Sequence, residues 1–431
     1  MNSNYHKVIV NISWLLFDKA FKILLGIAVL TSVAKYLGTT QYGLLNYCIT
    51  YAAIFNPLAT LGLDSLAVRD LVVEDHKNKI FATTFWLRVG GSLVYILFTV
   101  VMSCIFEQEN IKIQIISVIA LSSIFRPFDV IDFWFQSQVN SKYSVAGKSF
   151  SYALISFFKI SLVYYTAPLI SFAWAILFEN FLTSSALLVT YLFKYNSIKL
   201  FDWDWQVGKK MLKESWPLIF SGFAIFIYMK IDQLMLGSMV GNKAVGIYSV
   251  AANISEIWNV IPTIVISSIA PAIYSAKKGS EANYYRRIEQ LHSILVQISL
   301  PIAILVSFGS EKIVLALFGN SYAESCSVLT IHVWFNVFSF MGSATAFWFI
   351  AEGMTELLTW RTIYGGVLNI VLNLYLIPLY GAVGAAIATV VSYGFVGCIM
   401  NFFNDRTRRI FFIQVRSLLP WNLVSISKNI T

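Results

Sequence analysis

Two stretches about two hundred residues apart carry nearly the same pattern: YLGTTQYGLLNY from Tyr36 to Tyr47, and MVGNKAVGIYSV from Met239 to Val250. A shift of 203 positions aligns three pairs of residues: Gly38 with Gly241, Gly43 with Gly246, and Asn56 with Asn259. One such match would mean little. Several matches in a single register predict that the chain consists of two related halves.

The composition excludes an ordinary soluble protein. The chain has 431 residues, of which 58% are hydrophobic and 12% charged, with a mean hydropathy of +0.70, whereas soluble domains carry about 25% charged residues. A membrane-crossing helix needs ~20 largely apolar residues. Continuous apolar runs of this length predict twelve spans, near residues 10–34, 43–63, 84–106, 113–135, 149–167, 170–193, 214–237, 246–272, 291–309, 327–351, 357–377 and 380–403.

The repeat and the spans together predict the architecture. Each glycine-containing stretch follows the first helix of a six-helix half, and six is an even number, so both halves begin at the same membrane face. Parallel halves that face each other across a cavity are a known transporter plan. We therefore predict an all-α polytopic membrane protein with about 12 transmembrane helices in two parallel six-helix lobes around a central cavity. The predicted domains are an N-terminal lobe (1–200), a C-terminal lobe (201–403) and a cytoplasmic amphipathic tail (404–431).

The distribution of basic residues predicts the orientation. Of the 31 Lys and Arg residues, 21 fall in loops on one side, four in loops on the other side, and the rest within spans. Cytoplasmic loops carry the excess of positive charge, so both termini are predicted to be cytoplasmic. The net charge of +9 is thereby explained without a nucleic-acid partner.

Motifs for catalysis and cofactor binding are absent from the sequence. There is no G-x4-G-K-[ST] phosphate-binding loop, and the four histidines and four cysteines show no metal-ligand spacing. The predicted outer loops are short. A polymerase or membrane glycosyltransferase would need a larger outward region to hold its acceptor, so the short loops argue against both. We predict a transporter with no catalytic residues, no cofactor and no metal site.

Ionisable residues within the spans are candidate functional residues, because each costs at least ~2.5–3.5 kcal/mol to insert at the centre of a membrane. Lys and Arg bind a delocalised anion such as a diphosphate well. Four cations on the first, fourth and fifth helices are predicted to bind the substrate diphosphate or headgroup near mid-membrane: Lys19, Lys22, Arg126 and Lys159. Seven further residues are predicted to serve ion coupling or structural pairing: Asp18, Asp129, Asp132, Glu179, Lys230, Asp232 and Glu256.

Structural alternatives stay open for several of these charges. Asp18 and Lys22 are four residues apart and could neutralise each other, and Arg126 and Asp129 could form an ion pair three residues apart. Arg88, near the inner end of its span, is expected to extend its charge to the headgroups. No charged residue lies within four positions of Lys159 in sequence, so its side chain must face water or another helix, while Lys230 has Asp232 nearby.

Two longer stretches carry a family resemblance. SWLLFDKAFKILLGIAVLTSVAKYLGTTQYGLLNY (Ser13 to Tyr47) and FDVIDFWFQSQVNSKYSVAGKS (Phe128 to Ser149) resemble the bacterial polysaccharide flippases called Wzx. These flippases belong to the multidrug/oligosaccharidyl-lipid/polysaccharide exporter superfamily. In their fourth helix a proline, an aromatic pair and a glutamine precede a polar turn; the matching residues here are Pro127, Phe133–Trp134 and Gln136. The resemblance covers essentially the whole chain.

The resemblance implies a function. Proteins of this type move an undecaprenyl-diphosphate-linked oligosaccharide from the cytoplasmic to the periplasmic leaflet of the bacterial inner membrane, for O-antigen or other surface polysaccharide. The implied partners are this lipid-linked oligosaccharide and other membrane proteins of polysaccharide assembly. The resemblance also implies that cations of the N-terminal lobe meet the diphosphate, but Asp129, Asp132 and Glu179 offset positive charge in this chain. Two alternatives stay open: a cation-coupled drug or metabolite exporter of the same superfamily, and a polysaccharide polymerase.

The orientation can be tested by cysteine labelling from the two sides of the membrane. We expect labels at 64–83, 194–213 and 273–290 to react only from the cytoplasm, and labels at 37–42 and 240–245 only from outside. If the two glycine-containing stretches react from opposite faces, the parallel repeat is wrong.

Overall fold

The computed structural model describes the backbone of residues 2–195 and 200–418, with side chains at Trp14 and from Asp18 onward within those ranges. Every regular element in these ranges is a helix. The α-helices are α1 Asn2–Ile54, α2 Asn56–Thr60, α3 Asp64–Val73, α4 Lys77–Phe106, α5 Asn110–Leu121, α6 Asp129–Ser137, α7 Ser141–Tyr164, α8 Leu169–Tyr195, α9 Trp205–Met239, α10 Asn242–Glu256, α11 Val260–Gly279, α12 Glu281–Phe318, α13 Ser325–His332, α14 Phe335–Ala351, α15 Thr355–Gly397 and α16 Arg408–Ser417. Short 3₁₀ segments lie at Ser122–Phe128, Ile257–Asn259, Asn320–Tyr322 and Ile399–Phe403.

The helices account for the predicted membrane spans. Within the described residues, nine helical segments are long and apolar enough to cross a membrane. Two of them contain a glycine with non-helical dihedral angles, Gly38 and Gly381, and therefore hold two helices each. The 24-residue α7 is too polar to be among the nine, yet at 1.5 Å per residue it is about 36 Å long, enough to cross. Counted in this way, the described residues contain twelve helical segments that could cross a membrane, and the all-α polytopic membrane fold is confirmed.

Gly38 and Gly241, which the shift of 203 positions aligns, adopt similar backbone conformations. Gly38 has φ 66° and ψ 175°, and Gly241 has φ 112° and ψ 174°. Residues with a side chain rarely occupy this region, so each position needs glycine. The equivalence that the sequence predicted therefore has a backbone counterpart at both turns.

A second pair from the same alignment lies at equivalent breaks. Asn56 follows the end of α1 and begins α2, and Asn259 ends the 3₁₀ segment before α11. Each accepts a hydrogen bond from the fourth helix of its own half: Asn56 from Arg126, and Asn259 from Ser339 at 3.1 Å. The halves thus share a local arrangement but differ in the charge of the donor.

The chain divides into two compact units, residues 1–226 and 227–431. The division falls inside α9, later than the predicted lobe boundary at 200. Met211 of α9 is buried in the core of the first unit, and a Cβ on Gly222 would lie 3.1 Å from Pro57. The six-helix lobes stay a prediction, because they rest on the repeat and not on packing.

Ion pairs also attach the segment before and within α9 to the first unit. Arg69 pairs with Glu214 at 2.5 Å and Lys79 with Asp204 at 2.9 Å. The hydrogen bond from Lys79 lowers the pKa of Asp204. The pair of Lys79 and Asp204 joins the predicted cytoplasmic connections 64–83 and 194–213, and Glu214 lies one residue beyond the second connection. These contacts explain why the compact unit extends into α9.

The described part of the tail forms the amphipathic helix α16. Ile410 and Ile413 are buried in the core of the second unit, whereas Phe412 and Val415 are exposed. Gln414 is also buried and donates to the carbonyl oxygen of Gly397 at 2.7 Å. One face of the helix is therefore fixed to the protein. The rest of the predicted tail, 419–431, lies outside the described residues.

Candidate functional site

A break in the fourth membrane helix organises the polar residues of the first unit. The 3₁₀ segment Ser122–Phe128 separates α5 from α6 and contains Arg126 and Pro127. Proline has no N–H for the helical hydrogen-bond ladder, and 3₁₀ segments within helices often mark functional positions. Asp129 and Asp132 follow on the first turn of α6.

Arg88 is the most deeply buried charge near this break. Its side chain, on α4, is 2% exposed and donates to Asp64 at 2.8 Å and to Asp129 at 3.2 Å. Its guanidinium also lies 5.1 Å from the ring centre of Phe133. The expectation that Arg88 reaches the headgroups is wrong, because two carboxylates neutralise it inside the protein. The alternative pairing of Arg126 with Asp129 is wrong for the same reason, since Asp129 pairs with Arg88.

Asp132 forms a second charged contact at the same place. It accepts hydrogen bonds from Lys148 of α7 at 2.6 Å and from Gln136 at 2.9 Å. Asp132 is buried and Lys148 is half-buried. This pair connects α6 to α7 and brings the start of α7 to the break in the fourth membrane helix.

These residues line a cavity of about 570 Å³, which we call the charged cavity. Its lining consists of Asn56, Thr60, Asp64, Ser65, Val68, Arg88, Arg126, Asp129, Asp132, Phe133, Gln136 and Lys148. Three cations and three carboxylates balance each other formally. Arg88 and Lys148 are held by carboxylates, whereas Arg126 donates to the neutral amide oxygen of Asn56 and forms no ion pair with any described residue. Arg126 is thus the cation of this cavity that remains available to an anion.

The other predicted cations lie elsewhere in the first unit. Lys22 pairs with Asp18 at 2.8 Å, the i, i+4 pairing that the sequence left open, and Asp18 also accepts from Ser149 at 2.6 Å. Lys19 is exposed and forms no ion pair with a described residue. Lys159 faces a neighbouring helix, as the sequence required.

Lys159 pairs with Glu179 at 2.7 Å and lines a separate, mainly apolar cavity of about 220 Å³ with Tyr152 and Asn46 among its neighbours. Arg126 and Lys159 therefore line different cavities, and the four predicted cations form no single cluster in this structure. Their shared role in binding one anionic group stays a prediction.

Several polar residues of the charged cavity were not among the predicted site residues, including Asn56, Asp64, Gln136 and Lys148. Lys148 immediately precedes the predicted span 149–167 and was therefore not counted as a charge within a span. A helical stripe of polar residues on α7, with spacing of three and four, could have identified it: Ser141, Ser144, Lys148 and Ser151.

The second unit contains a different polar cluster, centred on Asp232. This carboxylate is 2% exposed and accepts from Tyr248 at 2.6 Å, Thr389 at 2.7 Å and Asn373 at 2.8 Å. All three donors are neutral. The side-chain oxygen of Asn373 is buried and has no hydrogen-bond partner among the described residues, which leaves an acceptor available beside the carboxylate.

Lys230 does not pair with Asp232, although the two are close in sequence. It contacts both carboxylate oxygens of Glu256 at 3.0 Å. In the second unit, Lys230 and Glu256 therefore form an ordinary ion pair. Asp232 is a separate, buried carboxylate with no cationic partner among the described residues.

Known proteins resemble this chain in sequence and in fold. A family model described as "Polysaccharide biosynthesis protein" matches residues 32–329. The probable flippase AglR of Haloferax volcanii is 30% identical over 208 residues, which cover 46% of this chain and 40% of that relative. The match thus spans less than half of the relative's length.

Two solved structures are similar in fold. An inward-facing multidrug resistance MATE family transporter of the MOP superfamily has a TM-score of 0.73 at 15% identity, covering 94% of this chain and 99% of that chain. The lipid II flippase MurJ in an inward closed conformation has a TM-score of 0.69 at 16% identity, covering 97% and 93%. These likenesses concern the fold alone. They agree with the fold that the sequence resemblance implied.

The ion pairs of Arg88 lead to a stability prediction. Arg88→Gln would leave Asp64 and Asp129 without their buried cation. Removal of one partner of a fully buried pair costs roughly 3–5 kcal/mol, and the cost here is smaller because Asp64 is 57% and Asp129 34% exposed. We expect low membrane abundance and a lower midpoint of thermal unfolding in detergent. A second substitution, Asp129→Asn, should restore part of both.

Lys210→Gln is the control. Lys210 is 56% exposed and its partner Glu74 is 43% exposed, and exposed pairs contribute only ~0–1 kcal/mol. Equal losses in the Lys210 and Arg88 variants would contradict the structural role of Arg88.

Proposed function

This chain belongs to the polysaccharide biosynthesis protein family, and on that basis we propose that it is a flippase for a lipid-linked oligosaccharide. The proposed substrate is an undecaprenyl-diphosphate-linked repeat unit, moved from the cytoplasmic to the periplasmic leaflet for O-antigen or another surface polysaccharide. The flippase name of the relative AglR and the MOP-superfamily fold support this proposal.

The observation that carries the proposal is the state of Arg126 in the charged cavity. Arg88 and Lys148 are already neutralised by carboxylates, but Arg126 is held by the neutral Asn56. A guanidinium can form two parallel hydrogen bonds to a phosphoryl group. We therefore assign Arg126 the principal contact with the diphosphate.

The balanced charge of the cavity suits the glycan part of the substrate. Carboxylate and amide oxygens accept hydrogen bonds from sugar hydroxyls, and Asp64 is 57% exposed at the cavity. Gln136, Thr60 and Ser65 add further polar groups. We propose that these residues hold the first sugars while Arg126 holds the diphosphate.

Lys19, Lys22 and Lys159 are kept as secondary proposed contacts. Lys22 and Lys159 each have a carboxylate partner, so an incoming diphosphate would compete with Asp18 or Glu179 for them. Of the three, Lys19 has no such competitor among the described residues.

Ion coupling, one of the two roles predicted for Asp232, is supported by the neutral surroundings of this carboxylate. A buried carboxylate among neutral donors is stabilised when a cation or proton joins it. The unpartnered oxygen of Asn373 and the hydroxyl oxygen of Thr389 are further oxygen ligands for such a cation. We propose that cation binding at Asp232 drives substrate movement.

The setting follows from the same proposal. The multi-pass fold would lie in the bacterial inner membrane with both termini in the cytoplasm, and would act on its substrate by transport, without chemical catalysis. The partners would be the lipid-linked oligosaccharide and other membrane proteins of polysaccharide assembly.

Substitution of Arg126 tests the proposed site. In a strain that lacks the gene, the wild-type protein should restore surface polysaccharide, and lipid-linked repeat units should accumulate in its absence. We expect Arg126→Gln to reach the membrane at normal abundance but to lower export at least about tenfold, because a charge-assisted contact is lost. Arg126→Lys should restore part of the export, because it keeps the charge but not the planar fork.

Two variants serve as comparisons. Lys210→Gln removes an exposed ion pair with Glu74 and should export normally. The combined change Lys159→Gln, Glu179→Gln removes a half-buried pair without stranding a charge, so its loss of export should be smaller than that of Arg126→Gln. Normal export by a well-expressed Arg126→Gln protein would remove Arg126 from the site.

The coupling role is tested by Asp232→Asn. This change keeps the size of the side chain but removes its charge, so transport in everted membrane vesicles should no longer respond to an imposed proton or sodium gradient. Glu324→Gln, at an exposed ion pair with Lys243, is the control and should respond like wild type. A full gradient response in the Asp232 variant would refute ion coupling at this cluster.

A further inference from the structure

The second unit contains a buried cation that the transport proposal does not use. Arg361 on α15 is 5% exposed and donates to the side-chain oxygen of Asn401 and to the carbonyl oxygen of Val396. Its guanidinium lies 4.9 Å from the ring centre of Phe349. No Asp or Glu among the described residues forms an ion pair with it. A buried charge without a counter-charge is unfavourable, so an anion from outside the chain would be stabilising here.

Arg361 lines a cavity of about 220 Å³ together with two tyrosines. The rings of Tyr228 and Tyr393 stack with their centres 4.6 Å apart. Neither phenol hydroxyl has a hydrogen-bond partner in the part of the chain that the structure describes. A guanidinium and two unpaired O–H groups at one cavity provide hydrogen-bond donors to an anion, and no carboxylate lines the cavity to repel it.

The lining also limits the kind of anion. Beside the donors and several hydroxyl groups it is apolar, with Phe338, Phe349, Leu358 and Val396 among its residues. Arg361 lies in the second turn of α15, which begins at Thr355, and is thus about 9 Å from the start of that helix at 1.5 Å per residue. A cation close to a helix end and next to apolar side chains matches the boundary between lipid headgroups and acyl chains.

We propose that this cavity binds the phosphate group of an anionic membrane lipid, with Arg361 as the charged contact and Tyr228 and Tyr393 as hydroxyl donors. The site is in the second unit, and it does not depend on the charged cavity of the first unit or on the proposed substrate. The polar contacts of Arg361 extend from Asn401 to Gln414 of α16 at 2.9 Å. A lipid bound here would therefore also stabilise the attachment of α16.

The test is lipid binding by the purified full-length protein in detergent, measured by native mass spectrometry and by thermal unfolding. Three probes are compared: phosphatidylglycerol, diacylglycerol with the same acyl chains, and inorganic phosphate. We expect phosphatidylglycerol to bind and to raise the unfolding midpoint, and the other two probes to bind at least about tenfold more weakly. Equal binding of inorganic phosphate would overturn the lipid assignment, and equal binding of diacylglycerol would overturn the phosphate contact.

Substitutions then assign the site. Arg361→Gln should weaken phosphatidylglycerol binding at least about tenfold. The double variant Tyr228→Phe, Tyr393→Phe removes two hydroxyls and no charge, so it remains informative if the arginine variant does not fold; it should weaken binding about threefold or more. Arg408→Gln, at an exposed pair with Asp405, is the control and should bind like wild type. Unchanged binding in the double tyrosine variant, or an equal loss in the Arg408 variant, would overturn the proposal.

Discussion

The neutralisation of Arg88 is the constraint on which the first unit depends. A guanidinium at this depth needs compensating charge, and Asp64 and Asp129 supply it from α3 and α6. These contacts fix two helices, α3 and α6, against α4 and use two of the three carboxylates of the charged cavity. Lys148 takes the third. Arg126 is consequently left with a neutral partner, so the same pairing that stabilises the unit also creates its available cation.

The two halves keep a common framework and carry different chemistry. The glycine turns at Gly38 and Gly241 and the breaks at Asn56 and Asn259 correspond. The first half then places charges of both signs around a cavity, whereas the second buries one carboxylate among neutral donors. This difference in polar side chains is the basis of our proposal that substrate binding and ion coupling belong to separate units.

Local charge pairs were the part of the site that could be predicted. The i, i+4 pair of Asp18 and Lys22 exists because both ends lie on one turn of one helix. Arg126 and Asp129 satisfied a similar spacing, but Asp129 pairs with Arg88 of α4, and Arg126 donates to Asn56. Lys159 required a partner on another helix, and no rule of spacing could name Glu179, twenty residues away.

The sequence by itself determined the membrane class, the helical content and the two aligned glycine turns, because apolar length, composition and glycine position are properties of contiguous residues. It also identified several charges that lie within the spans, among them Arg126, Lys159 and Asp232. Only the tertiary structure decided which charges neutralise each other, because those contacts join helices that are distant along the chain. Asp64 and Lys148 line the charged cavity although the sequence placed them outside the predicted spans. Arg361 is buried and has no carboxylate partner among the described residues. The energy of a charge in a membrane depends on its neighbours in space, and those neighbours are set by packing.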